Sequence, residues 1–310
     1  MRIAVLGAGS LGSVFGGHLA EAGHDVTLIN RSPAFVDAVR ARGLTLIEGG
    51  DSRTIAVSAA TGAEGLGAVD LLIVLVKSTG TEAALAANRT LIGPQTWVVS
   101  LQNGIGQEEI LAGFAAPNRV LIGKTYVGGL MTAPGEVTAG TRGKVTYLGT
   151  PDGRTEAEVS ELARIFSQAG LPTDARADIL TVVWDKLLVN VATGALSAIT
   201  GLSYGALYAL PEVATTAQAA VAEAMAVARA LGVALGFTSP EAPWLQAAEG
   251  LPPEFKASML QSIERGQRTE IDFINGAVVR YGARLGIPTP VNATLVAGVK
   301  GIEAALKGTK

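Results

Sequence analysis

The sequence opens with the stretch RIAVLGAGSLG at residues 2–12. Its first five residues have the composition of a buried strand and lead directly into a G-x-G-x-x-G motif at residues 7–12. The motif alone says little, because a chain with 39 glycines contains this spacing roughly once by chance. The segments around the motif make it significant. A helical segment follows at Leu11–Ala22 and a second strand at Asp25–Ile29, which is the order of a dinucleotide-binding βαβ unit.

Further strand and helix signals follow in the same alternation. Val69–Val76 is almost continuously apolar, which is typical of a parallel strand covered on both faces. A helical segment at 81–91 leads into a strand at Thr96–Ser100, and short strand-like pieces separated by Gly and Pro fill Val120–Leu148. This order predicts an α/β fold, with an N-terminal Rossmann-type parallel sheet and a few added strands.

The pattern changes after Pro172, where helical periodicity dominates and Gly and Pro separate the segments. We therefore predict two domains: a dinucleotide-binding Rossmann-type domain at 1–172, and an all-α domain at 173–310. The helices predicted in the second domain are 179–199, 212–231, 253–265, 270–285 and 291–305.

The composition narrows the class of protein. Hydrophobic residues make up 48% and charged residues 16%, which excludes a disordered chain. The net charge of −3 provides no basic surface for nucleic acid or an anionic membrane, and no apolar run approaches the roughly 18 residues of a membrane span. Because Met1-Arg2 leads directly into a strand, we expect no signal peptide and a cytoplasmic location.

Two residue counts narrow the chemistry. The chain has no cysteine, which excludes disulfides, thiolate metal sites and cysteine nucleophiles, and we expect no metal site. Its two histidines, His18 and His24, both lie near the N-terminus. Proton transfer in the second domain would therefore depend on Lys, Glu, Asp or Tyr.

The glycine motif predicts where a dinucleotide binds. Glycines allow a tight turn and a close approach of the backbone, while the N-terminus of the next helix receives the pyrophosphate. An NAD site usually has an acidic residue at the end of the second strand, but this chain has Asn30 and Arg31 there. A guanidinium suits the extra phosphate of NADP(H), which is the predicted cofactor, and an ordinary exposed arginine is the alternative. The predicted cofactor-binding residues of this region are Gly7, Gly9, Ser10, Leu11, Gly12, Asn30 and Arg31.

Polar residues follow two further strands. Lys77 ends the apolar run at 69–76, and Asn103 follows the strand at 96–100. Ligands of open α/β sheets bind beyond the carboxyl ends of the strands, so both residues are candidates for the site. A solvated strand end for Lys77 and a simple Asn-Gly turn for Asn103 are the alternatives.

Four polar residues stand out in the helical half. Lys186 and Asn190 are four residues apart and share one face of an otherwise apolar helix. Ser258 lies on a later helix, and Glu270 lies in the first turn of the next, with Thr269 as its N-cap. On this segment alone, a surface lysine whose stem packs on apolar neighbours is the favoured interpretation of Lys186. A first-turn carboxylate that serves the helix dipole is the alternative for Glu270, and periodicity does not dismiss it.

Taken together, these segments resemble the ketopantoate reductase family (2-dehydropantoate 2-reductases) along almost the whole chain. The resemblance implies NADPH-dependent reduction of ketopantoate to pantoate, a step of pantothenate biosynthesis, by a Rossmann domain followed by a helical domain. It rests on the glycine motif, Val76-Lys77, Gln102-Asn103-Gly104 and Pro134-Gly135, and on three more specific segments at Lys186–Asn190, Ser258–Gln261 and Thr269–Gly276.

Matching positions carry the family's roles to this chain. The resemblance implies that Lys186 is the general acid that protonates the carbonyl oxygen, with Glu270 as its catalytic partner orienting the substrate hydroxyl. It implies that Asn103, Asn190 and Ser258 bind the substrate, with Ser258 at its carboxylate. Three residues are also implied to lie at the cofactor: Lys77, Asn103 and Glu270. An ammonium group suits this chemistry, because it donates a proton and stabilises the developing alkoxide.

Two positions depart from the family's pattern. Gly194 and Phe255 stand where asparagine is frequent, which favours a different or less polar 2-oxo acid. The alternatives are an NADP-dependent oxidoreductase acting on another branched 2-oxo acid or on a 3-hydroxy acid, and a non-catalytic NADP-binding regulator. The expected partner is a small-molecule 2-oxo acid, with no nucleic acid and no membrane, and a homodimer is left open.

Overall fold

The apolar segment at residues 2–6 forms the strand around which the main sheet of the computed structural model is ordered. The structure describes residues 1–154 and 156–308. The strands are β1 Arg2–Leu6, β2 Asp25–Ile29, β3 Leu44–Glu48, β4 Asp51–Ile55, β5 Ser58–Ala60, β6 Leu71–Val74, β7 Trp97–Ser100, β8 Val120–Thr125, β9 Gly128–Ala133, β10 Glu136–Gly140, β11 Thr146–Gly149 and β12 Thr173–Ala175. The α-helices are α1 Ser10–Glu21, α2 Pro33–Arg42, α3 Thr81–Ala87, α4 Gln107–Ala112, α5 Ala157–Gln168, α6 Ile179–Thr200, α7 Tyr204–Tyr208, α8 Pro211–Ala230, α9 Glu241–Ala248, α10 Ser258–Glu264, α11 Asn275–Leu285 and α12 Pro290–Gly308.

The main sheet has the strand order β5-β2-β1-β6-β7-β8-β11-β12. The first six of these strands are parallel, and β11 joins β8 in the antiparallel direction. The strand order reverses at β1, whose carboxyl end is therefore the switch point at which doubly wound sheets bind their ligands. The predicted fold class, a parallel sheet with added strands followed by a helical C-terminal part, is confirmed.

A second sheet of four strands, in the order β4-β3-β10-β9, was not predicted as a separate layer. Helix α1 contacts β1 and β2 of the main sheet as well as β3, β9 and β10 of the second sheet, so it lies between the two layers. Phe15 and Leu19 of α1 are fully buried in the shared core. This packing fixes the N-terminus of α1 at the switch point.

The chain divides into two compact units. The first consists of Met1–Gln102 and Gln107–Ile179, and the second consists of Asn103–Gly106 and Leu180–Lys310. The short segment after β7 therefore belongs to the helical unit, although its flanking residues belong to the sheet unit. The domains expected at 1–172 and 173–310 stay a prediction.

Helix α6 is the central apolar helix of the second unit. Within the described part of the chain it is also the one helix long and apolar enough to cross a membrane, with a mean hydropathy of 1.5 over its most apolar window. No membrane span was expected here from the apolar pattern, because Asp185 and Lys186 interrupt the run. More than half of that window is buried inside the fold, and α6 residues such as Leu188 and Val191 are fully buried, as in a core helix.

Helix α10 begins at Ser258, later than the predicted start at 253. The carbonyl oxygens of Pro253 and Phe255 instead accept the backbone N–H groups of Gly205 and Tyr204. These are donors at the beginning of α7, where a helix has no internal partners for them. The segment before Ser258 is therefore used to cap another helix.

Candidate active site

The glycine motif forms the turn between β1 and α1. A Cβ atom on Gly7, where φ is 100°, would lie 2.4 Å from the backbone nitrogen of Val76 after β6. A Cβ on Gly12 would lie 2.4 Å from the carbonyl oxygen of Gly7, so this glycine lets α1 pack on the turn. A Cβ on Gly9 would meet no atom within 4 Å, which leaves room beside that peptide. The three glycines thus have the separate roles that a dinucleotide cradle requires.

The N-terminus of α1 offers backbone donors next to this space. The first turn has no acidic residue and no side-chain cap, and the first helical hydrogen bond runs from the N–H of Ser13 to the carbonyl of Gly9. The N–H groups of residues 10–12 thus have no partner within the helix, and they can hold a phosphate. The Ser10 hydroxyl oxygen accepts the N–H of Met131 at 3.0 Å, so Ser10 also ties α1 to β9.

Asn30 and Arg31 follow β2 at the same edge of the sheet. The Asn30 side-chain amide donates to the carbonyl oxygen of Ala8 at 2.7 Å, and its oxygen accepts the N–H of Ser32 at 2.9 Å. Asn30 therefore braces the glycine turn against the start of α2. Arg31 is exposed beside it, and neither position supplies the acid that usually binds a ribose in an NAD site.

Lys77 is exposed directly after the apolar run that includes β6. Gln102, which belongs to the Gln102-Asn103-Gly104 segment but was not predicted as a site residue, holds this loop in place. The buried Gln102 amide donates to the carbonyl oxygen of Val76 at 2.6 Å and to the hydroxyl of Thr81 at 2.8 Å. Its position at a strand end, directly before the Asn-Gly pair, is the sequence feature from which this role could have been predicted.

Asn103 and Glu270 are brought together in the second unit. The Asn103 Nδ2 atom lies 3.4 Å from the Glu270 Oε2 atom. The N–H of Ile105 donates to the carbonyl oxygen of Phe273 at 3.0 Å, and a Cβ on Gly104 would lie 2.2 Å from that same oxygen. Only a glycine at position 104 allows the backbone to come this close to Phe273. The contact unites a predicted strand-end residue with a predicted residue of the helical half.

Glu270 lies outside the α-helix that was predicted to begin there. A short 3₁₀ turn at Ile271–Phe273 follows it, and α11 begins at Asn275. The Thr269 hydroxyl oxygen accepts the N–H of Ile271 at 3.2 Å, so Thr269 caps the 3₁₀ turn rather than the α-helix. The partly buried Glu270 therefore sits on a short turn instead of the first turn of a long helix.

Lys186 and Asn190 lie on one face of α6, and both are half-buried. Gly194 continues that face, and a Cβ there would lie 3.4 Å from the Met259 Cε atom. Met259 of α10, a helix that begins with the exposed Ser258, therefore lies against α6 at Gly194, one turn beyond Asn190. The Met259 methyl group occupies the space into which a longer side chain at 194 would extend.

The neighbouring Asp185 faces another part of the second unit. Its carboxylate oxygens accept the N–H of Gly236 at 3.0 and 3.2 Å. Burial raises the pKa of Asp185, and the hydrogen bonds from Gly236 and Phe237 oppose that rise. Asp185 therefore anchors α6 to the chain after α8, whereas Lys186 lies on the face that it shares with Asn190.

Phe255 belongs to an aromatic group. Its ring packs edge-on against Tyr204, with the ring centroids 5.0 Å apart, and Tyr208 stacks on Trp244 at 3.9 Å. The Tyr204 hydroxyl donates to Thr193 of α6 at 3.1 Å. Both departures from the family's pattern, at 194 and 255, thus have apolar surroundings.

Comparison with protein families matches both parts of the chain. Residues 3–153 match the family described as ketopantoate reductase PanE/ApbA, and residues 178–303 match its C-terminal counterpart. The chain belongs to the ketopantoate reductase family. The family consists of oxidoreductases, so the chain is assigned to that class of enzyme.

Relatives of the ketopantoate reductase family match along their full length. A 2-dehydropantoate 2-reductase of Pyrococcus horikoshii is 38% identical over 311 residues, which cover all of both chains. The solved structure of a PanE/ApbA family ketopantoate reductase from Ralstonia eutropha has a TM-score of 0.89 and 36% identity, covering 99% of this chain and 100% of that one. The structure of a D-mandelate dehydrogenase with NADH and anilino(oxo)acetate has a TM-score of 0.90 and 28% identity, with the same coverage.

Proposed function

We propose that the chain is an NADPH-dependent 2-dehydropantoate 2-reductase, which reduces ketopantoate to pantoate in pantothenate biosynthesis. The observation that carries this proposal is the 38% identity, over the full length of both chains, to a protein named 2-dehydropantoate 2-reductase. The contact between Asn103 and Glu270 supports it, because two residues with proposed roles at the substrate meet there. We also expect a cytoplasmic location.

The glycine turn and the end of β2 fit a dinucleotide with an additional phosphate. Space beside Gly9 and the N–H groups at the start of α1 suit the pyrophosphate. Arg31 suits a 2′-phosphate, since no carboxylate at positions 30 and 31 would repel it. NADP(H) is therefore the proposed cofactor, although the D-mandelate dehydrogenase of similar fold has NADH. When bound, the reduced cofactor supplies the hydride.

Lys186 acts as the general acid in this proposal. Its ammonium group donates a proton to the carbonyl oxygen of the 2-oxo acid, which becomes the hydroxyl of the product. The same positive charge stabilises the negative charge that develops on that oxygen. Because α6 is a buried core helix, the lysine is held on a rigid element.

Glu270 and three polar residues orient the substrate. The Glu270 carboxylate accepts the 4-hydroxyl of ketopantoate, and Asn103 holds that carboxylate through the 3.4 Å contact. Asn190 lies one turn from Lys186 on the same face of α6 and binds the substrate beside the reacting carbonyl. Ser258, exposed at the start of α10, binds the substrate carboxylate.

A second candidate function is the reduction of a 2-oxo acid with an apolar side chain. The observation that favours it is the packing of Met259 against Gly194, together with the aromatic neighbours of Phe255. A D-mandelate dehydrogenase shares the fold at a TM-score of 0.90. An apolar pocket would favour such a substrate over one with a hydroxyl group.

Turnover of NADPH tests the proposed reaction. The purified chain should oxidise NADPH when ketopantoate is added, with one pantoate formed for each NADPH consumed. Oxidation of 3-hydroxy acids in the reverse direction, without activity on any 2-oxo acid, would contradict the proposal. Binding of NADPH without turnover on any oxo acid would identify a regulator instead.

A further inference from the structure

The turn that carries Glu270 is held at both ends by helix α12. Glu303 of α12 is buried, with 7% of its surface exposed, and its Oε1 atom accepts two hydrogen bonds from Thr269. The backbone N–H and the hydroxyl of Thr269 each donate at 2.7 Å. Lys300, one helical turn before Glu303, pairs with the carboxylate of Asp272. Glu270 therefore lies between two residues that α12 anchors.

The anchored turn also determines where Asn103 lies. The carbonyl oxygen of Phe273, the last residue of the turn, accepts the N–H of Ile105. Ile105 is buried in the core of the second unit, which fixes the segment to that carbonyl. The same turn thus holds Glu270 on one side and the segment with Asn103 on the other, and the two side chains meet at 3.4 Å.

Moving the turn away from Glu303 would be unfavourable in free energy, and this holds the turn in place. A buried carboxylate is strongly destabilising unless it is paired and hydrogen-bonded. Both donors of Thr269 reach the same oxygen atom, and Lys300 lies 3.9 Å from the other oxygen. Any shift of the turn would leave the carboxylate without its donors. The hydrogen bonds to Glu303 therefore favour the conformation of the turn that is seen in the structure.

We propose that Glu303 is a positioning residue, which fixes Glu270 through Thr269 and fixes Asn103 through Phe273. It contacts neither substrate nor cofactor in this account. The inference rests on the proposed function, since Glu303 acts through a residue assigned to the substrate. It predicts that a residue of the last helix controls substrate use while leaving cofactor binding unchanged.

Two substitutions separate positioning from simple destabilisation. Glu303→Ala should lower kcat/KM for ketopantoate by about 10- to 100-fold, mainly through a higher KM, with an unchanged Kd for NADPH. Glu303→Gln should retain most of the activity, because its amide oxygen accepts the same two hydrogen bonds. In a Glu270→Ala background, Glu303→Ala should lower kcat/KM by a smaller factor, because the effect through Glu270 is already lost and only the effect through Asn103 remains.

Hydrogen exchange provides a readout that does not depend on activity. Glu303→Ala should accelerate exchange in peptides that contain residues 269–273 and 103–106. The matched control is Glu223→Ala, which removes another carboxylate that accepts backbone N–H groups, at the start of α12, without touching the turn. This control should lower Tm but leave exchange at 103–106 and kcat/KM near the wild-type values.

The outcomes distinguish this proposal from the proposed function. Unchanged exchange at 103–106 in Glu303→Ala, or an equal loss of kcat/KM with and without Glu270, would overturn the positioning role. If Glu303→Ala accelerates exchange while Glu270→Ala retains full activity on ketopantoate, the positioning of the turn stands. The substrate role of Glu270 would then be wrong.

Discussion

The lysine at position 186 tests the proposed chemistry at the scale of one residue. Removing its ammonium group in Lys186→Ala should lower kcat by about 10²–10⁴-fold, because both the proton donor and the stabilising charge are lost. The Kd for NADPH and the Tm should change little. Lys144→Ala, which removes an exposed lysine of the sheet unit, is the control. Near-normal turnover of Lys186→Ala would show that another group supplies the proton.

Arg31 tests the cofactor assignment in the same way. A charged hydrogen bond contributes ~1.5–3 kcal/mol, so Arg31→Ala should weaken NADPH binding by about 10- to 100-fold and leave NADH binding nearly unchanged. Titration of both cofactors by fluorescence measures this. Arg164→Ala, which removes an exposed arginine paired with Glu161, should leave both affinities unchanged. If Arg31→Ala weakened the binding of NADPH and of NADH equally, a contact between Arg31 and the 2′-phosphate would be contradicted.

At the scale of an element, two glycines of the turn between β1 and α1 have different surroundings. Gly9 faces open space that a ligand can fill, whereas Gly12 is packed against the backbone of the turn. Gly9→Ala should fold with Tm near the wild-type value, since its Cβ meets no atom within 4 Å, but it should weaken dinucleotide binding by at least about 10-fold. Gly12→Ala places a Cβ 2.4 Å from a backbone oxygen, and overpacking of this kind costs about 1–3 kcal/mol. Thermal melts with and without NADPH distinguish the two variants. A stable Gly9→Ala that binds NADPH normally would contradict the cradle.

The half-buried Glu48 of β3, whose carboxylate lies 3.7 Å from the ring of His18 in α1, gives a pH-dependent prediction. Burial raises the pKa of Glu48, but hydrogen bonds from Thr141 and Arg53 and the nearby His18 lower it by more, so the net pKa lies below 4.5. The ionised Glu48 therefore contributes stability above about pH 4.5, and that contribution is lost as the pH falls through the lowered pKa. Glu48→Gln should lower Tm by about 2–4 °C at pH 7, with a gap that narrows below pH 4. A difference in Tm between the wild type and Glu48→Gln that stays constant or widens below pH 4 would contradict the lowered pKa of Glu48.

The hairpin of β3 and β4 and the turn at Glu270 were not predicted from sequence patterns. The hairpin of β3 and β4 turns at Gly49-Gly50, where φ is 62° and 95°, and this dipeptide was the signal for a two-residue turn. Its strands are short and half polar, so alternation alone did not reveal them. The turn at Glu270 was also missed, because the bond from Thr269 to Glu303 spans 34 residues. Periodicity contains only local information.

At the scale of the whole molecule, the sequence predicted the parallel sheet of the first half, but it predicted the site only in part. Buried parallel strands are continuously apolar, so the strand run at 69–76 and the glycine turn predicted the Rossmann-type sheet. The contact between Asn103 and Glu270 joins residues 167 positions apart, which no spacing could reveal. The family resemblance selected both residues but gave no distance between them.

The relative kcat/KM for ketopantoate and for 2-oxoisovalerate, with NADPH, tests whether ketopantoate is the substrate. The two acids share a branched carbon chain, but only ketopantoate has the hydroxyl group that Glu270 is proposed to accept. A site that binds a substrate hydroxyl can discriminate by as much as ~10⁴-fold, and less in an exposed cleft. We predict a higher kcat/KM for ketopantoate, and a smaller ratio in Glu270→Ala. A higher kcat/KM for 2-oxoisovalerate, or for a bulkier apolar oxo acid, would contradict the assignment of ketopantoate as the substrate.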